Sequence, residues 1–165
     1  GNYRVIVPLV ARDAGLGHIG RMTLLMTPSE GPRVRLGVVT TDLELSPDSR
    51  KSDQPVVDFC TICEKCAAVC PSRSIPFGTR KEMDGVYRWK LNPDTCFRYW
   101  NVVGTDCARC VSVCPFSHPN TFFHNLVRVG IRHSGFFRRV ALWMEDVFYG
   151  KKPKPRPAPD WVDIS

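Results

Sequence analysis

Residues 60–71, CTICEKCAAVCP, and residues 107–115, CARCVSVCP, decide how this chain is read. The first run spaces its cysteines C-x2-C-x2-C-x3-C-P, at Cys60, Cys63, Cys66 and Cys70. Three thiolates two residues apart can wrap one [4Fe-4S] cubane corner by corner, while the fourth, on a turn stopped by proline, points toward a neighbouring cluster. The second run, Cys107, Cys110 and Cys114 before Pro115, is one cysteine short, and Cys96 stands upstream to complete it. The exchange assigns Cys60, Cys63, Cys66 and Cys114 to cluster one, and Cys96, Cys107, Cys110 and Cys70 to cluster two. Structural zinc sites pair two C-x2-C units around four ligands and give no reason for a triple run ending in Cys-Pro. Two linked cubanes suit an electron relay. Ile62, Val69, Ile75, Phe77, Val113 and Phe116 are the apolar neighbours expected to shield the sulfurs and tune the potential.

The rest of the composition agrees with metal ligation. Eight cysteines in 165 residues fall below the density of a disulfide scaffold, and 43% hydrophobic residues in a chain of this length are enough for a core. The formal charge of +7 would raise the question of a polyanion partner. Eight thiolates and two oxidised cubanes bring the loaded chain to about +3, which weakens that argument. No apolar run is long enough to span a bilayer, and no secretory or twin-arginine segment is present. The opening Gly1-Asn2-Tyr3 has no initiator Met and leads straight into an apolar stretch. We read the chain as the C-terminal part of a longer protein.

Outward from the cysteines, the pattern predicts a strand over Arg4–Val10, a Gly-containing turn into a short helix over residues 11–26, a Pro/Gly loop and a second strand over residues 34–41. Residues 46–56 are polar with two prolines and read as a linker. The ligand turns at 60–70 and 107–114 are expected on short helical turns, with a turn and strand at 83–91 between them. Apolar residues recur at helical intervals from 121 to 150, interrupted at His133-Ser134-Gly135, which predicts two amphipathic helices with a break. The closing KKPKPRPAPD alternates proline with basic residues and reads as extended tail, with Trp161 placed to pin its end. Residues 121–157 hold eight Lys or Arg against two acids, Glu145 and Asp146. Such a basic amphipathic stretch fits a lipid headgroup surface, an acidic electron donor, or a solvated helix face.

Gly15-Leu16-Gly17-His18-Ile19-Gly20 satisfies G-x-G-x-x-G, but four residues separate the expected strand from the first glycine and no βαβ unit follows, so dinucleotide binding is disfavoured. The segment carries a different resemblance. Ala14-Gly15-Leu16-Gly17-x-x-Gly20-Arg21-x-x-Leu24-Leu25-x-Thr27-Pro28, then Gly31–Leu36 (GPRVRL), then Thr40-Thr41-Asp42-Leu43, then the two cluster motifs with Tyr99-Trp100 between them, resembles the C-terminal portion of corrinoid-dependent reductive dehalogenases. The resemblance covers nearly the whole chain. It extends more weakly to epoxyqueuosine reductases, which usually show Lys-Asn where this chain has Arg21-Met22 and lack the TP…GPRVRL loop.

The resemblance implies an α+β chain: the remainder of a nitroreductase-like corrinoid-binding domain over 1–50, a ferredoxin-like module with two [4Fe-4S] clusters over 51–120, and C-terminal helices with a Pro-rich basic tail over 121–165. It implies two [4Fe-4S] clusters that deliver electrons to a cobalamin cofactor, at whose cobalt a carbon–halogen bond is cleaved. The chain holds no D-x-H-x-x-G segment to supply a lower cobalt ligand, as expected for this family. Arg21 falls where the family's basic residue lowers the pKa of a proton-donating Tyr, itself expected upstream of this chain. Gly15, Gly17, Gly20, Thr23, Thr27, Arg33, Arg35 and His118 are the corresponding corrinoid-binding candidates. The bland alternatives are a helix-surface ion pair for Arg21, solvated strand positions for Arg33 and Arg35, packing for Tyr99 and Trp100, and structural roles for His18, His118, His124 and His133. The implied partners are a small organohalide, an electron-donor protein or quinol-linked chain, and a membrane surface or small membrane anchor, with no nucleic acid. The family suggests a location peripheral to the cytoplasmic membrane of a bacterium, or cytoplasmic. An epoxyqueuosine reductase acting on tRNA and a plain ferredoxin-type carrier are the alternatives; residues 1–45 exceed what a carrier needs.

Overall fold

The computed structural model describes residues 5–46, 52 and 54–152. Pro8 makes the first departure from the sequence pattern. The apolar run around it reads as a strand, but a proline in the first turn of a helix loses no hydrogen bond and already has helical φ. The chain instead forms α1 (Val7–Asp13), with Ala11 buried. The helix expected over residues 11–26 is also replaced. Gly15 turns in left-handed backbone at φ +77°, and a hairpin follows, β1 (His18–Ile19) antiparallel to β2 (Leu25–Met26), with His18 opposite Met26. Met22, Leu25 and Met26 enter the core from this hairpin. Residues 34–41 form no strand, and Val38 and Val39 are exposed. Their alternating pattern needs a ladder partner, and none of the described strands lies beside them.

The first ligand run begins on α2 (Gln54–Cys63), so the last three residues of the expected linker, 54–56, are helical; residues 47–51 and 53 lie outside the described residues. After a residue in left-handed backbone, Glu64, comes the single turn α3 (Lys65–Ala68). The hairpin of β3 (Lys81–Met83) and β4 (Val86–Arg88) closes through Asp84-Gly85, both at positive φ, the turn that matches strand twist. Helix α4 (Pro93–Val103) starts at Asn92, whose side chain accepts from the Asp94 and Thr95 backbone N–H groups, and stops at Gly104. The second ligand turn is α5 (Arg109–Ser112), followed by one 3-10 turn over Pro115–Ser117.

The two C-terminal helices are α6 (Phe122–His133) and α7 (Gly135–Phe148), broken at Ser134, whose hydroxyl caps α7 by accepting from the Phe137 N–H. They cross closely: a Cβ on Gly130 would lie 2.8 Å from Phe137 Cζ. Both pack on α2. Ile131, Phe137, Ala141 and Leu142 face inward, while Phe122, Phe136, Trp143 and Phe148 are exposed. Phe59 of α2 is the centre of the core, with Phe116 edge-on at 5.3 Å. Of the expected sulfur shield, Val69, Ile75, Val113 and Phe116 are buried, whereas Ile62 and Phe77 are exposed. The Pro-rich tail and Trp161 lie outside the described residues.

Candidate metal centre

The two ligand runs repeat one backbone. In each, a non-glycine residue in left-handed conformation, Glu64 or Ala108, starts a one-turn helix. The Glu64 carbonyl accepts from the Ala67 and Ala68 N–H groups, as the Ala108 carbonyl does from Val111 and Ser112. Cys70 and Cys114 then close their turns by donating to Ala67 and Val111 carbonyls. Left-handed backbone in L residues costs about 1–2 kcal/mol and clusters at functional sites. The turns α3 and α5 pack on each other.

Two cavities sort the eight cysteines into the two sets expected from the spacing. A small space of about 20 Å³ is lined by Cys60, Cys63, Cys66 and Cys114, two of them buried, with Arg21, Met22 and Phe59 among its walls. A larger cleft of about 510 Å³ is lined by Cys70, Cys96, Cys107 and Cys110, with Arg33, Arg35, Tyr99 and Trp100 at its sides. The electrostatics give the same partition. Cys114 feels Cys60, Cys63 and Cys66, while Cys110 feels Cys70, Cys96 and Cys107; Cys66 also feels Cys110, so the sets adjoin. Among the described residues no three or more of His, Cys, Asp and Glu are disposed to hold a single metal ion. A cubane spreads four irons over its own corners, so its ligands stand around a space.

Burial sets the protonation of the thiols. It pushes Cys63 and Cys66 up to about 12, Cys110 up to about 11 and Cys114 well above the ordinary thiol value. Such groups ionise only against a compensating positive centre, which bound iron provides. Cys70 differs. Burial raises it, but the Ser72 hydroxyl and the backbone N–H groups of Ser74, Ile75 and Ser72 donate to its sulfur and bring it below the ordinary value. Sulfur made a better anion by N–H and O–H donors is what a cluster ligand requires.

Arg21 is 1% exposed, and within this chain its guanidinium is engaged by backbone carbonyls and Glu64. Its Nε and Nη2 donate to the Cys60 carbonyl at 3.1 and 2.8 Å, Nη1 donates to the Pro76 carbonyl at 2.7 Å, and Nη2 lies 3.3 Å from Glu64 Oε1. The guanidinium stacks 4.7 Å over the buried Trp89. Arg21 ties the N-terminal hairpin to the ligand loop of cluster one. Gly20 sits beside it, where a Cβ would come 3.6 Å from Cys60 Sγ, and a Cβ on Gly17 would lie 2.9 Å from the Met26 carbonyl carbon.

Several corrinoid-binding candidates are likewise engaged inside the chain. Thr23 donates to the Met22 carbonyl, and Thr27 donates to the Gly31 carbonyl while accepting from the Glu30 N–H. His118 Nε2 is 2.8 Å from Glu145 Oε2, and its ring packs 4.0 Å from Tyr149 and 5.0 Å from His124. Arg33 pairs with Glu30 at 2.9 Å, and together with Arg35 it borders the larger cleft. Tyr99 and Trp100 line that same cleft. The sequence pattern missed Lys65, a buried cation inside the first ligand run that meets Glu145 at 3.5 Å and Asp146 at 3.0 Å. The signal was available: these are the only two acids in the basic stretch 121–157.

Residues 59–118 match the family model of the 4Fe-4S dicluster domain. Over 150 residues the chain is 38% identical to tetrachloroethene reductive dehalogenase of Sulfurospirillum multivorans, covering 86% of this chain and 30% of that protein. It superposes with a TM-score of 0.81 and 30% identity on a solved reductive dehalogenase whose structure suggests a mechanism for B12-dependent dehalogenation, covering 90% of this chain and 22% of that one. Epoxyqueuosine reductase of Listeria monocytogenes is a weaker relative, 30% identical over 131 residues, with 70% of this chain and 31% of that protein covered. The chain thus spans less than a third of the curated relatives it matches, and over most of its own length it is similar to reductive dehalogenases.

Proposed function

We propose that this chain is the electron-delivering part of a reductive dehalogenase, holding two [4Fe-4S] clusters over residues 51–120 and, over 1–50, one wall of a corrinoid site in a nitroreductase-like domain. Residues 121–165 add helices and the basic tail. The observation that carries the reading is the sorting of eight cysteines into two tetrads, one around a small space and one around a larger cleft, in a chain similar to reductive dehalogenases over most of its length.

When bound, the clusters would supply one-electron transfer and cobalamin would supply the reduced cobalt that cleaves a carbon–halogen bond. The chain's own residues do the rest. Cys60, Cys63, Cys66 and Cys114 would hold cluster one in a small space walled in part by Phe59, Met22 and Phe116. Cys70, Cys96, Cys107 and Cys110 hold cluster two at an open cleft, with Ser72 and the Ser74 N–H donating toward the Cys70 sulfur. Arg33 and Arg35, at the edge of that cleft, are the cations available to corrin amides or phosphate. Arg21 is a positioning residue for the cluster-one loop. A small organohalide is the substrate, and a protein electron donor or quinol-linked chain the source of electrons. A membrane surface or small anchor is the docking partner, at the cytoplasmic membrane or in the cytoplasm.

The test is anaerobic production of the full reading frame that contains this chain, with iron and cobalt measured in one sample. About eight irons and one cobalt, with halide release from organohalides, are the expected result. Eight irons without cobalt, after cobalamin is supplied during folding, would leave only an electron carrier; turnover of epoxyqueuosine in tRNA would transfer the chain to the second relative's chemistry.

A further inference from the structure

The repeat of the two ligand turns puts Lys65 and Arg109 in equivalent places, each one residue before a cluster ligand and one after the left-handed residue. Their surroundings differ. Arg109 is exposed, at the open cleft. Lys65 is 5% exposed, and its ammonium is held from the far end of the chain. Nζ donates to the Gly150 carbonyl at 3.0 Å, lies 3.0 Å from Asp146 Oδ1 and is 3.5 Å from Glu145 Oε1. The other Glu145 oxygen is fixed by His118, itself packed on Tyr149. The Lys65 Nζ hydrogen bond to Gly150 crosses from α3 to just past α7, and Asp146 Oδ1 meets Nζ as a close ion pair without an aligned hydrogen bond.

A buried ammonium next to a ligand loop acts through poorly screened space. The Lys65 charge bears on the Cys63 sulfur, to which its backbone N–H also donates, and Glu145 bears on the same sulfur with the opposite sign. Reduction of a cubane adds one negative charge. A cation here favours the reduced state, and the carboxylates behind it subtract from that effect.

We propose that Lys65 is a tuning residue for cluster one, and that the end of α7 sets the strength of its field through Glu145 and Asp146, so that the two clusters of the repeat take different reduction potentials. The inference rests on the two-cluster reading above and is independent of the corrinoid one.

The experiment is an anaerobic, EPR-monitored redox titration of the full protein, with iron content measured in each sample. Lys65→Gln is expected to shift cluster one to a lower potential and Asp146→Asn to a higher one, with cluster two unmoved in both. Arg109→Gln is expected to leave cluster one in place. Opposite signs from two neighbours in one ion pair are not produced by loosened packing, which would move both variants the same way. Where Lys65→Gln fails to retain cluster one, Asp146→Asn decides alone, because it lies outside the ligand loop. An unmoved or lowered cluster-one potential in Asp146→Asn overturns the proposal. A parent protein without about eight irons overturns the cluster reading and this inference with it.

Discussion

Arg21→Met separates a positioning role from a catalytic one. The substitution keeps the buried stem and removes the donors that serve the Cys60 and Pro76 carbonyls. Both carbonyls are then left without their charged partner, and Trp89 loses the cation on its face. Hydrogen bonds to charged groups contribute about 1.5–3 kcal/mol each, and breaking a buried charged network typically costs about 3–5 kcal/mol in all. The Glu64 contact is partly solvated and adds little. With a urea dependence of about 2 kcal/mol per molar for a chain of this size, the midpoint for loss of the visible cluster absorbance should fall by about 2 M. Arg21→Lys should recover less than half of that, since one ammonium cannot fork across Cys60 and reach Pro76 together. The assay is anaerobic urea unfolding followed by cluster absorbance, alongside turnover of an organohalide. A midpoint within about 0.3 M of the parent with turnover abolished would refute the positioning argument and return Arg21 to the reacting centre.

The ligand exchange predicts that Cys70→Ala removes cluster two although Cys70 belongs to the first run, and that Cys114→Ala removes cluster one; Mössbauer or EPR spectra of each variant, with one cluster signal surviving, check it. Gly31 stands at φ +56°, where a Cβ would lie 2.6 Å from the Phe116 carbonyl carbon. Gly31→Ala should therefore cost about 2 kcal/mol or more in stability, while Gly37→Ala, with nothing within 4 Å of the added methyl, should stay within about 0.5 kcal/mol of the parent; thermal loss of cluster absorbance reads both.

What the sequence made legible follows from how local each determinant is. Ligand spacing on a one-turn helix is fixed within a few residues, so Cys60 to Cys70 and Cys107 to Cys114 could be read directly, and the exchange followed from the missing fourth cysteine. The break between α6 and α7 was also local, written in Ser134 and Gly135. The N-terminal segment failed for two different reasons. Pro8 starts a helix inside a run whose β-branched residues suggest a strand, and the hairpin at His18–Met26 forms because it buries Met22 and Met26 against α2, a tertiary gain that no window of sequence reports. The pattern at 34–41 is that of a strand without a ladder partner among the described residues. Lys65 was missed because its partners lie 80 or more residues away, and the two acids set in a basic stretch do not by themselves say which cation they meet.

The repeated ligand turns carry a consequence for how one backbone can serve two clusters of unlike character. Both turns have the same left-handed start, the same hydrogen bonds and the same closing Cys-Pro, so the turn itself gives no difference between them. The difference comes from what is packed on each. The first turn lies under α2, the N-terminal hairpin and the end of α7, with Arg21 and Lys65 both buried beside it. The second opens to a cleft whose cations, Arg33, Arg35 and Arg109, line its walls. A more buried site resists added negative charge unless fixed cations offset it, whereas a more exposed one is relieved by water. Two buried cations, Arg21 and Lys65, stand beside the first turn and three border the cleft of the second, so fixed positive charge is available to offset added negative charge at each site.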